Sequence, residues 1–446
     1  MIRKIFVSIG IIALAAIVLF LGNIGYHRLR GPSAEQRAAM DALQRALDAP
    51  ARGRNAFALM WLGRLDVADD EIEAHAERDV QAAAAQVAST GDVGALPSTS
   101  LPRLAEPRNN EPGLCQARDS KCIARVRADR QATLDVLAQH PGWLRRAAML
   151  ETMDSYRNEF PVTLSAPMWR PGPTQRLRLS ELALQFADGA HADALASVCR
   201  NIDAWRRQRH DTNSLLFSMA ALAHVDDGLR LFAEMWAESA SLVTVPDACR
   251  QALAPIEPAD VVLCPALAGE WELARSTIAR IAATRGASTD EADSEAVLFP
   301  LFFSTEQATA WQAQQLAADC TDAAGRDALA DRIAATPARI SRVECAASVT
   351  GCILAGVAAP AYDTYRMRAL DGAAHLRLAA TLIWLREHAD GVRLSGDRLA
   401  QLPAELRSGN RAIGIDDDTR TIHVENLDSS REARFELPMP ELHTGG

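Results

Sequence analysis

The chain has 446 residues, of which 57 are Asp or Glu and 47 are Lys or Arg, so its formal net charge is -10. Binding to phosphate backbones requires a basic surface, so this charge, without any basic cluster, argues against nucleic acid as a partner. The length is sufficient for one large domain or two ordinary domains, each with a hydrophobic core.

The N-terminal segment predicts a membrane anchor. The run from Ile5 to Gly22 contains no charged residue and is about long enough to cross a bilayer as one helix. Basic residues precede this run and the ring of Tyr26 follows it, which favours a cytosolic N-terminus. We therefore expect a cytosolic tail at residues 1–4, a transmembrane anchor from Ile5 to Tyr26 that partners the inner membrane, and the bulk of the chain in the periplasm. A cleaved signal peptide is the alternative.

Residues 27–91 predict juxtamembrane helices. Ser33 followed by Gln36 resembles a capping box, and the acidic stretch from Asp66 to Glu73 suits the first turn of a second helix. Residues 92–114 contain four prolines and cannot continue that helix. They predict a linker or a long surface loop, and an extended partner-binding segment is the alternative.

Residues 115–359 predict a helical domain. Apolar residues recur there at successive offsets of three and four, which is the spacing of one helix face. Three such stripes are His191, Leu195, Val198, Ile202 and Trp205, then Val225, Leu229, Phe232 and Trp236, then Trp271, Ala274, Ile278 and Ile281. Paired helices with short turns favour an antiparallel, solenoid-like packing, and because no fixed repeat period occurs we expect an irregular arrangement.

The cysteines predict disulfide bonds. An even number of cysteines in an exported chain is typical of a domain held by disulfides. The eight candidates are Cys115, Cys122, Cys199, Cys249, Cys264, Cys320, Cys345 and Cys352. Neither C-x-x-C nor the Cys and His spacing of a structural zinc site occurs, so the cysteines predict neither a metal centre nor a redox centre.

Two pairs of cysteines share an offset of seven residues. Cys115 and Cys122 flank turn-forming residues, so we expect a disulfide between them. One continuous helix would hold Cys345 and Cys352 about 10 Å apart, which is too far for a disulfide. Either Gly351 breaks that helix, or each of these two cysteines pairs elsewhere.

Residues 360–446 predict a long helix followed by a small antiparallel sheet. The helix is expected from about Tyr362 to Glu387, with leucines along one side. Three alternating runs then follow, Ile413 with Ile415, Ile422 with Val424, and Phe435 with Leu437. The predicted fold class is therefore mainly α, with a three-stranded antiparallel meander that packs its apolar face on the C-terminal helix.

Several short motifs resemble a group of bacterial proteins. The helix end LIWLREHADG, the stretch LAQLPAEL and the terminal strands are similar to the C-terminal region of uncharacterised single-anchor envelope proteins of Gram-negative bacteria and, more distantly, to pseudopilin ends. The segment LCPALAGEW and the spaced Cys115 and Cys122 resemble the same proteins. This resemblance implies an envelope location and assigns no catalytic residue. Helices and a proline-rich segment separate the anchor from the terminal strands, which departs from the pilin pattern and argues against filament assembly.

The most metal-like cluster is formed by His224, Asp226 and Asp227. An imidazole and two carboxylates close in sequence can share a metal ion. However, the two acids stand before an apolar helical stripe, where carboxylates cap free amide groups, and capping is the favoured interpretation. His210 and Asp211 are interpreted in the same way.

Two further acidic groups have an equally simple interpretation. Glu270 and Glu272 could act as an acid and base pair, but acids at this position are typical of the first turn of a helix. Asp416 to Asp418 suggest calcium, but Arg420 stands where an EF-hand loop needs an oxygen ligand. A turn between two strands is expected there instead.

The sequence contains no H-E-x-x-H, G-x-S-x-G, Walker A or S-x-x-K motif. We therefore assign no catalytic, cofactor-binding or metal-binding residue from the sequence. The leading hypothesis is a membrane-anchored periplasmic scaffold or interaction protein whose partner is another envelope protein. The second is a periplasmic hydrolase or metalloenzyme built on His224, Asp226 or Glu270. The third is a helical module that binds a peptide or a lipid in a groove.

Overall fold

The structure of the protein is a computed structural model that describes residues 2–108, 111–169, 172–239, 244–286, 303–333, 340–345, 348–388, 396–407 and 410–439. Helices dominate this part of the chain, as the sequence predicts. The first four are α1 (Ile2–Arg30), α2 (Ala34–Asp48), α3 (Phe57–Leu62) and α4 (Ile72–Thr90). The next eight are α5 (Cys122–Ala128), α6 (Arg130–Gln139), α7 (Pro141–Leu150), α8 (Thr174–Ala187), α9 (His191–His210), α10 (Leu215–Glu238), α11 (Asp247–Ala252) and α12 (Pro258–Val261). The later ones are α13 (Cys264–Gly286), α14 (Thr305–Leu316), α15 (Asp322–Leu329), α16 (Arg342–Cys345), α17 (Val349–Glu387) and α18 (Gly396–Leu399).

Helix α1 contains the one described segment that is long and apolar enough to cross a membrane, Phe6–Arg30. Its length and composition are those of a membrane anchor or of a signal sequence. The chain then turns at Gly31 and enters α2, whose start is the capping box predicted from the sequence. The Ser33 hydroxyl accepts a hydrogen bond from the backbone N–H of Gln36 at 3.2 Å, and the Gln36 side chain accepts one from the backbone N–H of Ser33 at 2.9 Å. These bonds satisfy two N–H groups that the helix start leaves free.

The centre of the molecule is the helix pair α9 and α10, which packs against α8. The predicted stripes of both helices are buried except for His191, which is half-buried at the start of α9. Ile202 and Phe232 have no exposed surface. Gly228 lets the two helices approach closely, since a Cβ atom there would lie 2.7 Å from Ile202 Cγ1. Local periodicity therefore predicts both helices and the faces that they bury.

Helix α2 packs into a second apolar cluster rather than standing apart from the body. Leu43 has no exposed surface and lies among residues of α13 and α14, including Leu267 and Leu316. The segment after α4 is also packed, because the buried Asp79 carboxylate accepts hydrogen bonds from Trp61 Nε1 at 2.7 Å and Ser98 N at 3.0 Å. The proposed division of the chain into an anchor, juxtamembrane helices, a linker and two further regions stays a prediction.

All eight cysteines are paired in the structure. The four disulfides join Cys115 with Cys122, Cys199 with Cys249, Cys264 with Cys320, and Cys345 with Cys352, with Cα atoms 5.0, 4.8, 4.9 and 5.3 Å apart, respectively. Such a set is typical of an oxidising compartment. The bond expected between the first two cysteines is present.

Both alternatives for the last cysteine pair are wrong, because Gly351 does not break a helix and Cys345 pairs with Cys352 rather than elsewhere. Helix α16 ends at Cys345, and α17 begins at Val349, so Cys352 lies in the first turn of the second helix. Gly351 lies inside α17, where a Cβ atom would be 2.6 Å from the Cβ atom of Ala308 on α14. Close packing on α14 explains the glycine at this position. The helix begins earlier than the start near Tyr362 that the sequence predicts, because glycine and proline weaken helix propensity in the stretch before Tyr362.

The predicted three-stranded meander is confirmed. Strands β1 (Ile413–Asp416), β2 (Thr421–Glu425) and β3 (Arg434–Pro438) are antiparallel in that order. Ile422 is aligned with Ile415 on one side and with Leu437 on the other. The sheet packs on α17, as predicted, and also on α10.

The first disulfide lies beside an unusual helix cap. Both carboxylate oxygens of Glu234 on α10 accept backbone hydrogen bonds from the first turn of α5, from Cys122 at 2.8 Å and from Ile123 at 2.9 Å. Burial raises the pKa of Glu234 to about 7, because it outweighs the opposite effect of the two N–H donors. The folded protein therefore holds this proton more tightly than the unfolded chain does.

The raised pKa of Glu234 predicts a pH-dependent stability. The stabilisation of the folded state by protonated Glu234 is fully present below the ordinary glutamate pKa of 4.5 and is lost as the pH rises through about 7. Between pH 5 and pH 8, the wild-type free energy of unfolding should therefore fall relative to that of Glu234→Gln, by on the order of 1–3 kcal/mol. Urea unfolding of both proteins at the two pH values measures this difference. Parallel pH dependence in the two proteins would contradict the assignment.

Candidate functional site

A buried histidine links the two long helices α10 and α17. His375 has no exposed surface, and its Nδ1 lies 2.7 Å from Oδ1 of Asp226 on α10. The other carboxylate oxygen accepts a hydrogen bond of 2.5 Å from Arg431, which precedes β3. An imidazole, a carboxylate and a guanidinium from three separate parts of the chain therefore meet in the interior.

The C-terminal sheet covers the other side of the imidazole ring. His375 Nε2 lies 2.8 Å from Oδ1 of Asn426, and the amide nitrogen of Asn426 donates to the backbone carbonyl of Glu432 at 2.8 Å. This second bond fixes the orientation of the amide, so both ring nitrogens of His375 face oxygen atoms. The ring of Phe435 stacks on His375 with the centroids 3.9 Å apart. We call Asp226, His375, Asn426 and Arg431 the C-terminal polar network.

The charges in the C-terminal polar network support each other. Burial alone would raise the pKa of the Asp226 carboxyl, but His375 and Arg431 outweigh it and lower this pKa to about 2. Asp226 is therefore ionised at neutral pH. Because His375 has no exposed surface and both its nitrogens have partners, the network is suited to holding the sheet on the helices rather than to exchanging protons with a substrate.

A second buried carboxylate fixes the same sheet. Asp371 on α17 has no exposed surface and accepts hydrogen bonds from the backbone N–H of Leu427 at 2.8 Å and from the Arg411 guanidinium at 2.6 Å. Arg411 also pairs with Asp331, at 2.6 Å. The segments that precede β1 and follow β2 are thus both attached to Asp371 on α17, the first by a buried ion pair and the second by a backbone hydrogen bond.

The sequence cluster His224, Asp226 and Asp227 does not form a shared site. The capping interpretation of the acids is wrong, because all three residues lie well inside α10, which begins at Leu215. Successive residues turn by about 100° around a helix, so the three side chains face different directions. Asp227 accepts a hydrogen bond from the backbone N–H of Arg118 at 2.8 Å, and burial raises its pKa to about 6.

His224 lies deep in the molecule beside a small cavity. Its ring contacts that of Trp205, with the centroids 4.5 Å apart, and its Nδ1 has no hydrogen-bond partner. Burial lowers the pKa of His224 to about 4, so the ring is neutral at physiological pH. The cavity beside it, lined in part by Trp143 and Trp169, measures about 20 Å³ and fits one water molecule rather than a substrate. Across the described ranges, no three His, Cys, Asp or Glu side chains are grouped so that they could hold a metal ion.

His210 and Asp211 are also not helix caps. They lie at the end of α9, and Ser214 caps the start of α10 instead. His210 Nε2 is 2.8 Å from a carboxylate oxygen of the buried Asp260, which also forms two bonds with Arg206, of 2.7 and 2.6 Å. Burial opposes ionisation of Asp260, but Arg206 and His210 outweigh it and hold its pKa well below the usual range. This cluster ties α9 to α12.

Glu270 and Glu272 do not form an acid and base pair. The sequence suggested that they lie in the first turn of a helix, but α13 begins at Cys264, so they lie farther along it. Burial raises the pKa of Glu270, whereas Glu272 pairs with Arg275 at 2.7 Å. Residues two apart on a helix face different directions, so these carboxylates cannot act on one substrate atom.

The acidic run that ends β1 is a turn, as predicted. Asp416 Oδ1 accepts hydrogen bonds from the backbone N–H groups of Asp418 and Thr419, both at 3.0 Å. Arg420 then adopts a positive φ of 55° before β2 begins. The Asp416 side chain thus stabilises the turn through local backbone hydrogen bonds.

A cleft of about 340 Å³ lies between α3, α4 and α7. Its volume is in the range of small-molecule sites. The apolar part of its wall is formed by Leu59, Ile72, Met149 and Met153. Methionine side chains adapt to ligands of varied shape, so this wall is suited to an apolar group without one fixed outline.

Three carboxylates line the same opening, which we call the acidic cleft. They belong to Asp69, Glu73 and Glu159, and Arg54 is the one basic residue among the described lining residues. Burial, and then the nearby charge of Glu159, raises the pKa of Glu73. A cation between these two carboxylates would relieve their repulsion. The sequence does not predict this site, because the acids from Asp66 to Glu73 indicate only a helix start and Glu159 lies far away along the chain.

Comparison of the chain with protein-family models, curated proteins and solved structures found no match. The resemblance to single-anchor envelope proteins therefore stays a prediction.

Proposed function

We propose that the protein is a membrane-anchored interaction protein, which holds a helical domain at the periplasmic face of the inner membrane and binds another envelope protein there. The observation that carries this proposal is the short, packed connection between the apolar helix and the domain. The disulfides support a periplasmic location.

The connection leaves little freedom between anchor and domain. Ile24 near the end of α1 is only 4% exposed, and the side chain of Asn23 donates a hydrogen bond to the backbone carbonyl of Val343 at 2.9 Å. Three residues separate α1 from α2, whose Leu43 is fully buried in the body. A short, packed attachment holds the domain at a set height above the membrane, as a scaffold requires, whereas a flexible linker would let the domain move.

Site-specific photocross-linking in the native envelope tests the interaction. A photoreactive residue replaces the exposed Glu159 at the acidic cleft, and a matched one replaces the exposed Asp417 in the turn of the sheet. We expect one reproducible protein adduct from position 159 and none from position 417. An adduct from position 417 alone would move the interaction to the sheet, and no adduct from either position would contradict the proposal.

A second candidate function is the binding of a peptide or a lipid in the acidic cleft. Asp69 already pairs with Arg145 at 3.2 Å, so the carboxylates of Glu73 and Glu159 are the ones that favour a ligand cation. Together with the apolar wall they favour a cationic amphipathic ligand, whose charge would lie at these two carboxylates and whose apolar part would contact the methionines. The hydrolase hypothesis receives less support, because His224, Asp226 and Glu270 each have separate neighbours.

Ligand-dependent stabilisation measures this second function. A synthetic peptide of lysine and leucine should raise the thermal midpoint of the wild type, because a ligand that binds only the folded state stabilises it. The double variant Glu73→Gln with Glu159→Gln should lose this shift. Asp70→Asn, on an exposed acid of the same region that is not among the described lining residues, is the matched control and should keep it. The same shift in all three proteins would show that the cleft is not the site.

A further inference from the structure

An apolar patch lies beside Asn23 of α1, directly after the apolar run of this helix ends. Its exposed side chains are Val343 on α16, at 63%, and Val349, Ile353 and Leu354 on α17, at 37, 59 and 38%. Isolated exposed apolar residues are common, but a contiguous group of this kind marks a contact with a protein or a membrane.

The two sides of the first turns of α17 differ sharply. Gly351 and Ala355 are buried, and Gly351 lies against Ala308 of α14. Val349 and Ile353 project from the opposite side, because residues two positions away lie on another face of a helix. This helix start is therefore held by α14 on one side and presents aliphatic side chains on the other.

The composition of this region is that of a membrane-contacting segment. From Cys345 to Tyr362 the sequence contains no charged residue. A surface helix of a soluble domain normally carries charged residues on its outer face. Because the exposed side of α17 carries only uncharged residues here, water is an unfavourable environment for it.

The contact with the anchor sets the position of the apolar patch. The apolar run of α1 ends at Gly22, and the next residue, Asn23, donates its side-chain hydrogen bond to the carbonyl of Val343. Asn23 therefore lies at the boundary where the hydrocarbon core would end. The disulfide between Cys345 and Cys352 joins the two helix segments that carry the patch, with Cα atoms 5.3 Å apart.

We propose that this apolar patch rests in the outer interface of the same membrane that holds α1. Val343, Val349, Ile353 and Leu354 enter the boundary between headgroups and acyl chains, and the disulfide keeps them together. The membrane contact is then two-sited, with one spanning helix and one interfacial surface, which fixes the orientation of the domain as well as its height. This inference rests on the proposed anchoring of α1.

Photocross-linking to lipid tests the docking directly. The full-length protein is reconstituted into vesicles of phosphatidylcholine and phosphatidylglycerol, with a photoreactive residue at one of four positions. Positions 343 and 353 report on the patch, and position 14, where Leu14 is 64% exposed on α1, reports on the anchor. Position 417 is the control, because its sheet packs on α17 near His375, about 33 Å along the helix from Ile353.

We expect lipid adducts at positions 14, 343 and 353 and background labelling at position 417. Lipid at position 14 without lipid at 343 and 353 would overturn the docking proposal while leaving the anchor intact. Absence of lipid at position 14 would instead overturn the anchor itself. Adducts between two copies of the chain at positions 343 and 353 would show that a second protomer, and not lipid, covers the patch.

Discussion

Replacing Asp226 with asparagine should destabilise the folded protein by about 3–5 kcal/mol, the usual cost of breaking a buried ion pair. The carboxylate contacts both His375 and Arg431, and a neutral amide would leave the Arg431 guanidinium without its counter-charge and would disrupt the hydrogen bond to His375. Because domains are commonly stable by about 5–15 kcal/mol, such a loss is a large part of the total.

The neighbouring Asp227 provides the matched control for this prediction. Its pKa is raised to about 6, chiefly by burial, so its charge is disfavoured in the folded state and Asp227→Asn should change stability by less than about 1 kcal/mol. Urea unfolding followed by circular dichroism, with the full-length proteins in detergent, gives both values. Equal losses at the two positions, or no loss at position 226, would show that the C-terminal polar network does not hold the sheet in place.

Removing the disulfide between Cys199 and Cys249 should lower the free energy of unfolding more than removing the one between Cys115 and Cys122. The first closes a separation of 50 residues and the second only seven, and the chain-entropy estimate gives about 4 and about 2.5 kcal/mol. A disulfide that closes a longer loop restricts the unfolded chain more, so removing that disulfide gives the unfolded state more freedom.

Paired alanine substitutions measure this difference. Each double variant removes both sulfurs of one bond and leaves no free thiol from it, so reshuffling does not confuse the comparison. An equal loss of unfolding free energy in the two variants, or a larger loss for the short loop, would contradict the entropic argument. It would indicate that local packing near Glu234 governs the stability of the Cys115–Cys122 region.

Local patterns in the sequence predict the helices and the sheet well. The buried face of α9 follows from the three- and four-residue spacing of its apolar residues, and the capping box follows from Ser33 and Gln36 alone. The sheet register follows from alternation, since Ile422 and Val424 had to face the core together. These features depend on residues close to each other along the chain.

The polar interior could not be predicted in this way. Asp226 and His375 are 149 residues apart in sequence, and no local pattern indicates that they meet. The sequence suggests a helix cap at the acids of α10 and a first helical turn at the acids of α13, whereas both groups lie inside their helices, because periodicity places helix boundaries poorly. The acidic cleft combines Glu73 with Glu159, so it too depends on long-range packing.

Disulfide mapping of the full-length protein from its native membrane fraction is the most direct test of the central claim, that an anchored domain lies outside the cytosol. The unreduced protein is alkylated and digested, and its linked peptides and N-terminal peptide are identified by mass spectrometry. We expect the pairs Cys115–Cys122, Cys199–Cys249, Cys264–Cys320 and Cys345–Cys352, with the apolar N-terminal segment retained. Eight alkylated thiols, or a soluble chain that lacks this segment, would contradict the account.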